Sequence, residues 1–300
     1  MLQEAAVIGR WLIGALAIAV ITGAPPLGAQ GQRPLAPPPA DSGLRVAPFF
    51  DGWYQNPDGT VTLSFGYSNL NREEVEIPIG PDNVVTPKEY DGRQPTVFQP
   101  GVPDATDAAA GGRRQRERGV FTVAVPAGFS GDVVWTLRYR GQTYSVPGRA
   151  KNSAYQLNWP MAMGSVPPLL RFTEGGPAGR GPTGIQASPA QTAVGKPLSL
   201  AVWVADDSVR EKDPVTVAVK RERPAMNVNW SKHSGPGPVV FNPSRSPLAQ
   251  LAGTANTSVT FKEPGEYVLR VRVDNFGRLD TSAGNQCCWT NGYVKVTVTP

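Results

Sequence analysis

Residues 264–275 read PGEYVLRVRVDN. After the Pro-Gly turn, apolar side chains occupy every second position, at Tyr267, Leu269, Val271 and Val273. Successive side chains of a β-strand point to opposite faces, so this alternation predicts a strand with one face in a hydrophobic core. We therefore expect a β-sheet fold around this segment.

The same alternation recurs along the chain, in short segments separated by turns that are rich in glycine and proline. Clear examples are residues 60–67, 121–125, 135–139 and 198–204. Repeated short strands without a helical period favour sandwiches or barrels. We predict an all-β protein with two β-sandwich domains, at residues 45–148 and 185–300.

The N-terminus has the pattern of a secretory signal. Arg10 precedes an apolar run, Pro25 and Pro26 end the run, and the small residues up to Ala29 offer a cleavage site. A membrane span needs about 20 apolar residues, more than this run supplies, so an uncleaved anchor is the weaker alternative. Residues 1–29 are predicted as a cleaved signal peptide. The mature protein is expected to have no transmembrane span.

Two proline-rich segments connect these parts. Residues 30–44 are polar and have nothing to bury, which predicts a tether. Residues 149–184 contain repeated Pro and Gly breakers, which predicts a linker between the two domains. Leu169, Leu170 and Phe172 are apolar enough to pack part of this linker against a domain.

Three segments of the second domain carry a family resemblance: VGKPLSLAVWVADD at 194–207, VNWSKHSGPG at 228–237, and the strand quoted above. Over about residues 185–300 the chain resembles an immunoglobulin-like domain of the polycystic-kidney-disease (PKD) type. In that family a Pro-Gly-x-Tyr corner starts the penultimate strand. The resemblance implies structural roles for Tyr267 and for the strand tryptophan Trp230. The first domain resembles uncharacterised exported bacterial proteins, which implies no function.

The chain is mildly basic, with 29 Lys and Arg against 24 Asp and Glu and a formal net charge of +5. This balance gives weak attraction to anionic surfaces without the charge footprint of a nucleic-acid binder. One basic cluster surrounds Glu117 and comprises Arg113, Arg114, Arg116 and Arg118. It is open to two interpretations: a contact site for anionic polysaccharide, lipid head groups or nucleic acid, or a solvated loop. Because it lacks interleaved aromatic residues, we expect no nucleic-acid partner.

Cys287 and Cys288 are the only cysteines, and they are adjacent. In an oxidising compartment they are predicted to form a vicinal disulfide, with intermolecular pairing or free thiols as alternatives. Adjacent Cα atoms lie about 3.8 Å apart, below the roughly 4.4–6.8 Å of ordinary disulfides, so the bond would be strained. A metal site is the poorest alternative, because His233 is the only histidine and is expected to face solvent in a Ser/Gly-rich loop.

The loop around the cysteines is the candidate binding site. It joins the last two predicted strands and carries Arg278, Asn285, Trp289 and Asn291. Binding residues are often mounted on loops at the end of a sandwich, and a tryptophan beside a braced turn could stack on a sugar or a protein partner. Trp289 could equally cover the end of the core, because tryptophan is highly buried on average.

Carboxylates at predicted strand ends suggest one possible cofactor. Hard oxygen ligands gathered at one pole of a sandwich can bind Ca²⁺, and the residues in question are Asp206, Asp207, Asp213, Asp274 and Asp280. Asp is also an ordinary turn former, and no loop has the Asp-x-Asp-x-Asp-Gly spacing. We expect no cofactor, with Ca²⁺ as the alternative.

Motifs of catalysis are sparse. The chain has no Gly-x-Ser-x-Gly elbow, no His-Glu-x-x-His and no P-loop. We predict an exported, non-catalytic binding or structural protein of the periplasm or the extracellular space. Its partners are expected to be proteins or polysaccharides at the cell envelope or outside the cell. The alternative is an envelope-associated carbohydrate-active hydrolase or its accessory subunit, because the two acids of a glycosidase follow no spacing rule.

Overall fold

A computed structural model of the chain describes residues 44–101, 116–150, 153–157, 164–209, 225–275 and 288–300. These residues form an all-β protein of two sandwiches, which confirms the predicted fold class. The predicted signal peptide and all of the predicted tether except Leu44 lie outside the described residues. Within the described ranges, no helix has the length and apolar character of a membrane span.

The first sandwich is built from eight strands. They are β1 (Val46–Gln55), β2 (Val61–Asn69), β3 (Val75–Glu76), β4 (Asn83–Thr86), β5 (Val97–Phe98), β6 (Glu117–Val125), β7 (Val133–Tyr139) and β8 (Gln142–Gly148). One sheet has the order β1-β2-β6, a second has the order β4-β7-β8, and β3 pairs with β5. Neighbouring strands in these sheets are antiparallel.

The core of the first sandwich follows from the alternation in β2. Leu63 and Phe65 are fully buried between the sheets. Trp135 of β7 meets Phe121 of β6 edge to face, with ring centroids 4.9 Å apart. A buried indole N–H needs an acceptor, and Trp135 Nε1 donates to Asn83 Oδ1 at 3.0 Å. Aromatic packing thus joins the two sheets, while the hydrogen bond from Trp135 to Asn83 satisfies the buried indole within the β4-β7-β8 sheet.

The second sandwich is built from ten strands. They are β9 (Leu169–Arg171), β10 (Ile185–Gln186), β11 (Ala190–Ala193), β12 (Leu198–Ala205), β13 (Met226–Ser234), β14 (Val239–Asn242), β15 (Arg245–Leu248), β16 (Ala252–Phe261), β17 (Gly265–Asp274) and β18 (Trp289–Thr299). One sheet has the order β10-β18-β17-β13-β15, with β11 also paired to β18. The other has the order β14-β16-β12-β9. Only the pairings of β10 and β11 with β18 are parallel among these described strands.

The segment quoted at the start of the sequence forms the centre of this second sandwich. Strand β17 lies between β13 and β18, and its four alternating apolar residues are buried in the core as predicted. Tyr267 packs against Phe261 with ring centroids 4.7 Å apart, and its hydroxyl donates to the Glu263 carbonyl oxygen at 2.8 Å. Trp230 is buried in the same core and stacks on Phe241.

Part of the stretch 149–184, predicted as a linker, belongs to the second sandwich. Strand β9 pairs with β12, Leu170 is fully buried, and Phe172 packs against the core. The turn that follows, residues 179–184, has the Gly-x-Gly-x-x-Gly spacing of dinucleotide sites. The short strand β10 follows it instead of a helix, so it lacks the structural context of such a site.

Candidate functional site

The outer face of the second sandwich is polar where it meets the first sandwich. Across β13, β17 and β18, Asn229 is in register with Arg272, and Arg272 with Asn291. In the next row Arg270 is in register with Tyr293. The two arginines and Asn291 are buried, because β6 of the first sandwich covers this face. We call this contact between the two sandwiches the junction.

Asn291 makes hydrogen bonds to three separate segments at the junction. Its Nδ2 donates to the carbonyl oxygens of Gly119 at 2.5 Å and Pro182 at 2.7 Å. Its Oδ1 accepts a hydrogen bond from Arg270 Nε at 3.0 Å. The side chain has no solvent exposure. Asn291, predicted as a binding residue, is therefore engaged inside the protein and is not displayed to a ligand.

Arg270 and Tyr293 extend this network into the first sandwich. Arg270 Nη2 donates to the Arg118 carbonyl oxygen at 2.8 Å, and its Nη1 lies 3.4 Å from Glu117 Oε2. The Tyr293 hydroxyl donates to the Val120 carbonyl oxygen at 3.1 Å. Polar groups can be buried without a large loss of stability when they find partners, so these bonds make a polar junction possible.

A buried carboxylate supports the other side of the junction. Asp51 Oδ2 accepts a hydrogen bond from the Gly119 amide at 2.7 Å, and its Oδ1 lies 3.5 Å from Arg118 Nη1. Burial raises the pKa of Asp51 to about 6, although the Arg118 charge opposes this shift. Arg118 is itself buried. The interpretation of the arginine cluster as a solvated loop is therefore wrong at Arg118, while Arg113 and Arg114 lie outside the described residues.

His233 also lies at the junction, and the expectation that it occupies a solvent-facing loop is wrong. It is half-buried in β13, with Nε2 3.2 Å from the Arg93 carbonyl oxygen and its ring edge-on to Tyr293. Burial lowers the pKa of His233 to about 4, and the nearby Arg270 charge acts in the same direction. The imidazole is therefore neutral at physiological pH.

A cleft of about 480 Å³ opens beside this network, between the two sandwiches. We call it the junction cleft. Its charged lining consists of Glu74, Glu117, Lys232, Arg245, Arg270 and Arg272, and an apolar wall is formed by Val239 and Phe241. Lys232 Nζ is 2.7 Å from Glu74 Oε1, and Glu117 Oε2 is 3.8 Å from Arg272 Nη1. Both sandwiches contribute to its walls, so the cleft depends on how they meet.

Two polar side chains of the junction cleft have unsatisfied donors. Trp230 Nε1 and Asn229 Nδ2 are buried, and neither has a hydrogen-bond partner among the described residues. Trp230 itself is only 5% exposed. A buried donor without an acceptor is costly, so each such group in a folded protein calls for an explanation.

The predicted loop site is only partly within the described residues. Arg278, Asn285 and Cys287 lie outside them. Trp289 is buried, its indole lies against Gly119 of the first sandwich, and it contributes to the lining of a separate pocket of about 220 Å³. Its role in binding stays a prediction. Cys288 is buried and disulfide-bonded. Its vicinal pairing with Cys287 stays a prediction.

The carboxylates proposed for Ca²⁺ are separately engaged. Asp206 Oδ1 accepts hydrogen bonds from Ser208 and Asn275, and Asp207 is ion-paired with Arg180. Asp274 Oδ2 is 2.8 Å from Arg272 Nη2. In the described part of the chain, no three His, Cys, Asp or Glu side chains are grouped to hold a metal. Asp213 and Asp280 fall outside that part.

The residues that form the junction cleft were missed by sequence analysis. Arg270 and Arg272 alternate with the buried residues of β17, a signal that places them on the opposite face of the strand. The sequence does not show that a second sandwich covers that face. Glu74 and Lys232 are far apart in the chain, and no motif connects them.

The chain matches no protein-family model and no curated protein sequence. Solved structures resemble it at low identity. The D00-D0 domain of intimin is 10% identical, covers 84% of this chain and 100% of that chain, and has a TM-score of 0.26. Domains 4 and 5 of the S-layer protein SbsC are 13% identical, cover 59% of this chain and 69% of that chain, and have a TM-score of 0.25. The Yersinia pseudotuberculosis adhesin InvE is 11% identical, covers 86% of this chain and 61% of that chain, and has a TM-score of 0.22.

At these TM-scores the likeness carries no argument about the function of this chain. The narrower assignment of the second sandwich to the PKD type stays a prediction.

Proposed function

We propose that this chain is an exported, non-catalytic binding protein that contacts a glycan or a protein at the cell envelope or outside the cell. The observation that carries the proposal is the junction cleft, a concave site with walls from both sandwiches and an excess of cationic side chains. Ligand sites occur preferentially at domain interfaces and in pockets of about this size. The signal-like N-terminus supports export.

The buried bonds of the junction suit such a role. Asn291 and Arg270 connect β17 and β18 to β6 through several hydrogen bonds, so the two walls of the cleft are held at a fixed spacing. A binding site formed before the ligand arrives avoids part of the entropy cost of ordering it. This favours recognition by a preformed cleft over folding on contact.

A hydrolase is the second candidate, because Glu74 and Glu117 line the same cleft. Glycoside hydrolysis needs one protonated and one ionised carboxyl group flanking the bond. Both of these carboxylates are paired with cations, Glu74 with Lys232 and Glu117 with Arg270 and Arg272. This pairing favours a structural role for both. A reducing-sugar assay on any bound glycan, repeated with Glu74→Gln and Glu117→Gln, separates the candidates.

The proposed function is tested by a glycan array and an envelope-protein pull-down with the mature chain, residues 30–300. Ser244→Trp places a large side chain at the exposed rim of the cleft, and Ser199→Trp places one on an exposed strand elsewhere. We expect specific capture by the wild type and by Ser199→Trp, and loss of capture by Ser244→Trp. Absence of any specific capture, or equal capture by both variants, would contradict the proposal.

A further inference from the structure

We infer that a second groove at the junction binds a phosphate group, carried by a sugar or free in solution, through the exposed side chains of Arg93 and Lys295. The groove has a volume of about 400 Å³, and we call it the basic groove. Among the described residues, its lining contains these two cationic side chains and no carboxylate. The basic groove is separate from the junction cleft, so either site can bind without the other.

The basic groove lies on the same outer face of β17 and β18 as the junction network, but farther toward the start of β17. Its lining includes Val268 and Lys295, which are in register on these two strands. The next row contains Arg270 and Tyr293, and Arg270 and Arg272 line the junction cleft. The two sites share no lining residue among the described residues. The basic groove is therefore a second site and not an extension of the first.

Arg93 reaches the basic groove from the first sandwich, and Lys295 reaches it from the second. The Arg93 carbonyl oxygen lies 3.2 Å from His233 Nε2, and the His233 ring is edge-on to Tyr293 with centroids 5.5 Å apart. Lys295 follows two residues after Tyr293 on the same face of β18, roughly 7 Å along the strand. Both long side chains line the one groove, so a single anion can contact both.

The positive charge of the basic groove is not neutralised by described carboxylates. Arg93 and Lys295 are exposed, and neither has an ion pair among the described residues. Asp91, two residues before Arg93, is paired with a lysine of its own turn. Glu266 is diagonal to Lys295 across the two strands and accepts a hydrogen bond from a threonine. Two uncompensated cations match a phosphate monoester, which carries close to two negative charges at neutral pH.

The rest of the lining suits a small polar ligand. Thr183 and Gln186 are exposed there, and a hydroxyl and an amide can donate to phosphate or sugar oxygens. Ile79 is 42% exposed in the same lining and offers an apolar contact for the C–H face of a sugar ring. A volume of about 400 Å³ accommodates a sugar phosphate and is too small for the broad face of a protein.

Calorimetric titration of the mature chain, in a buffer free of phosphate and sulfate, tests the inference. The probes are glucose-6-phosphate, glucose-6-sulfate, glucose and inorganic phosphate. We expect the phosphate ester to bind about tenfold more tightly than the sulfate ester, because it carries close to twice the charge. Tighter binding of the phosphate ester than of inorganic phosphate would identify a phosphorylated sugar as the ligand. Equal or tighter binding of inorganic phosphate would identify free phosphate.

Four variants assign the binding to the basic groove. Arg93→Gln and Lys295→Gln should each weaken phosphate binding about tenfold, because each removes one charge-assisted contact. Arg72→Gln and Lys262→Gln are the matched controls, since both residues are exposed cations outside the lining, and they should leave the affinity unchanged. All four side chains are exposed, so thermal unfolding should show the wild-type midpoint for each variant.

Three results would overturn the inference. They are no binding of either phosphate probe, equal affinity for the phosphate and sulfate esters, and phosphate binding that Arg93→Gln and Lys295→Gln both leave unchanged.

Ser244→Trp, at the rim of the junction cleft, separates this inference from the proposed function. We expect it to leave phosphate binding unchanged, and loss of phosphate binding would place the anion in the junction cleft and contradict the basic groove. If the array and pull-down show no specific capture while phosphate binds as expected, the proposed function fails and the basic groove stands. If capture is seen and no phosphate probe binds, the reverse holds.

Discussion

Arg270 Nε donates a hydrogen bond of 3.0 Å to Asn291 Oδ1, and both residues are buried. They lie on neighbouring strands of the second sandwich, and each also bonds to a carbonyl oxygen of the first sandwich. Each orients the other toward the main chain of β6. The pair therefore links the packing of one sandwich to the position of the other.

Replacement of Asn291 by alanine should strongly destabilise the protein. The change leaves Arg270 Nε and the carbonyl oxygens of Gly119 and Pro182 without their described partner. Buried polar groups that lose a partner cost about 1–3 kcal/mol each, with some relief from water, so we expect a loss of roughly 3 kcal/mol. Urea unfolding measures it. Thr297→Ala, which removes an exposed hydroxyl bond, should cost less than about 1 kcal/mol. Equal effects would contradict a special role for Asn291.

Gly119→Ala should disrupt the junction. A Cβ at this position would overlap the indole of Trp289, and the residue has a φ of +56°. Gly128→Ala is the matched control, because Gly128 has a φ of +76° and open space around its Cβ position. In the control, the left-handed backbone should lower the free energy of unfolding by only roughly 1 kcal/mol. Gly119→Ala should lower it by at least twice as much, because its Cβ also overlaps the indole. Identical unfolding midpoints for the two variants would show that the contact with Trp289 is unimportant.

Two substitutions at Tyr267 distinguish the contribution of its hydroxyl to stability from that of its ring. Tyr267→Phe removes the bond to the Glu263 carbonyl oxygen and should cost about 1 kcal/mol. Tyr267→Ala also removes the packing on Phe261 and should cost about 2–4 kcal/mol. Denaturant unfolding of both variants gives the difference. If the alanine variant were as stable as the wild type, Tyr267 would not be the structural corner of this sandwich.

Asp51 and His233 should give opposite pH dependence to stability. Asp51 has a pKa of about 6 in the folded protein against an ordinary 3.8, so its contribution is fully present below pH 3.8 and is lost as the pH rises through 6. His233 has a pKa of about 4 against an ordinary 6.5. Its contribution is present above pH 6.5 and is lost as the pH falls toward 4. The two effects oppose each other between about pH 4 and 6.

Single variants should reveal each effect. Relative to the wild type, His233→Gln should gain stability as the pH falls from 6.5 to 4, and Asp51→Asn should lose it. One titrating group changes the free energy of unfolding by at most about 1.4 kcal/mol per pH unit. Urea unfolding at several pH values measures the slopes. If the free energy of unfolding of both variants changed with pH in parallel with that of the wild type, neither group would have a different pKa in the folded and unfolded protein.

The alternation of β17 was sufficient to predict its buried side, because one face of a strand enters the core. It does not distinguish water from a second domain on the opposite face, so the burial of Arg270 and Arg272 was not predictable. His233 illustrates the same limit. Its Ser/Gly-rich surroundings suggest a loop, but Lys232 and Ser234 on either side pair with β17, so β13 continues through His233 with a shift of register. Likewise, Leu170 becomes part of a core only through pairing with β12, which lies beyond a proline-rich stretch.

We expect the junction to join the two sandwiches into one body and thereby to fix the cleft. Differential scanning calorimetry of the mature chain tests this most directly. We predict one transition whose calorimetric and van't Hoff enthalpies agree, and a broadened or divided transition for Asn291→Ala. Two separate transitions in the wild type, with midpoints that Asn291→Ala leaves unchanged, would contradict it.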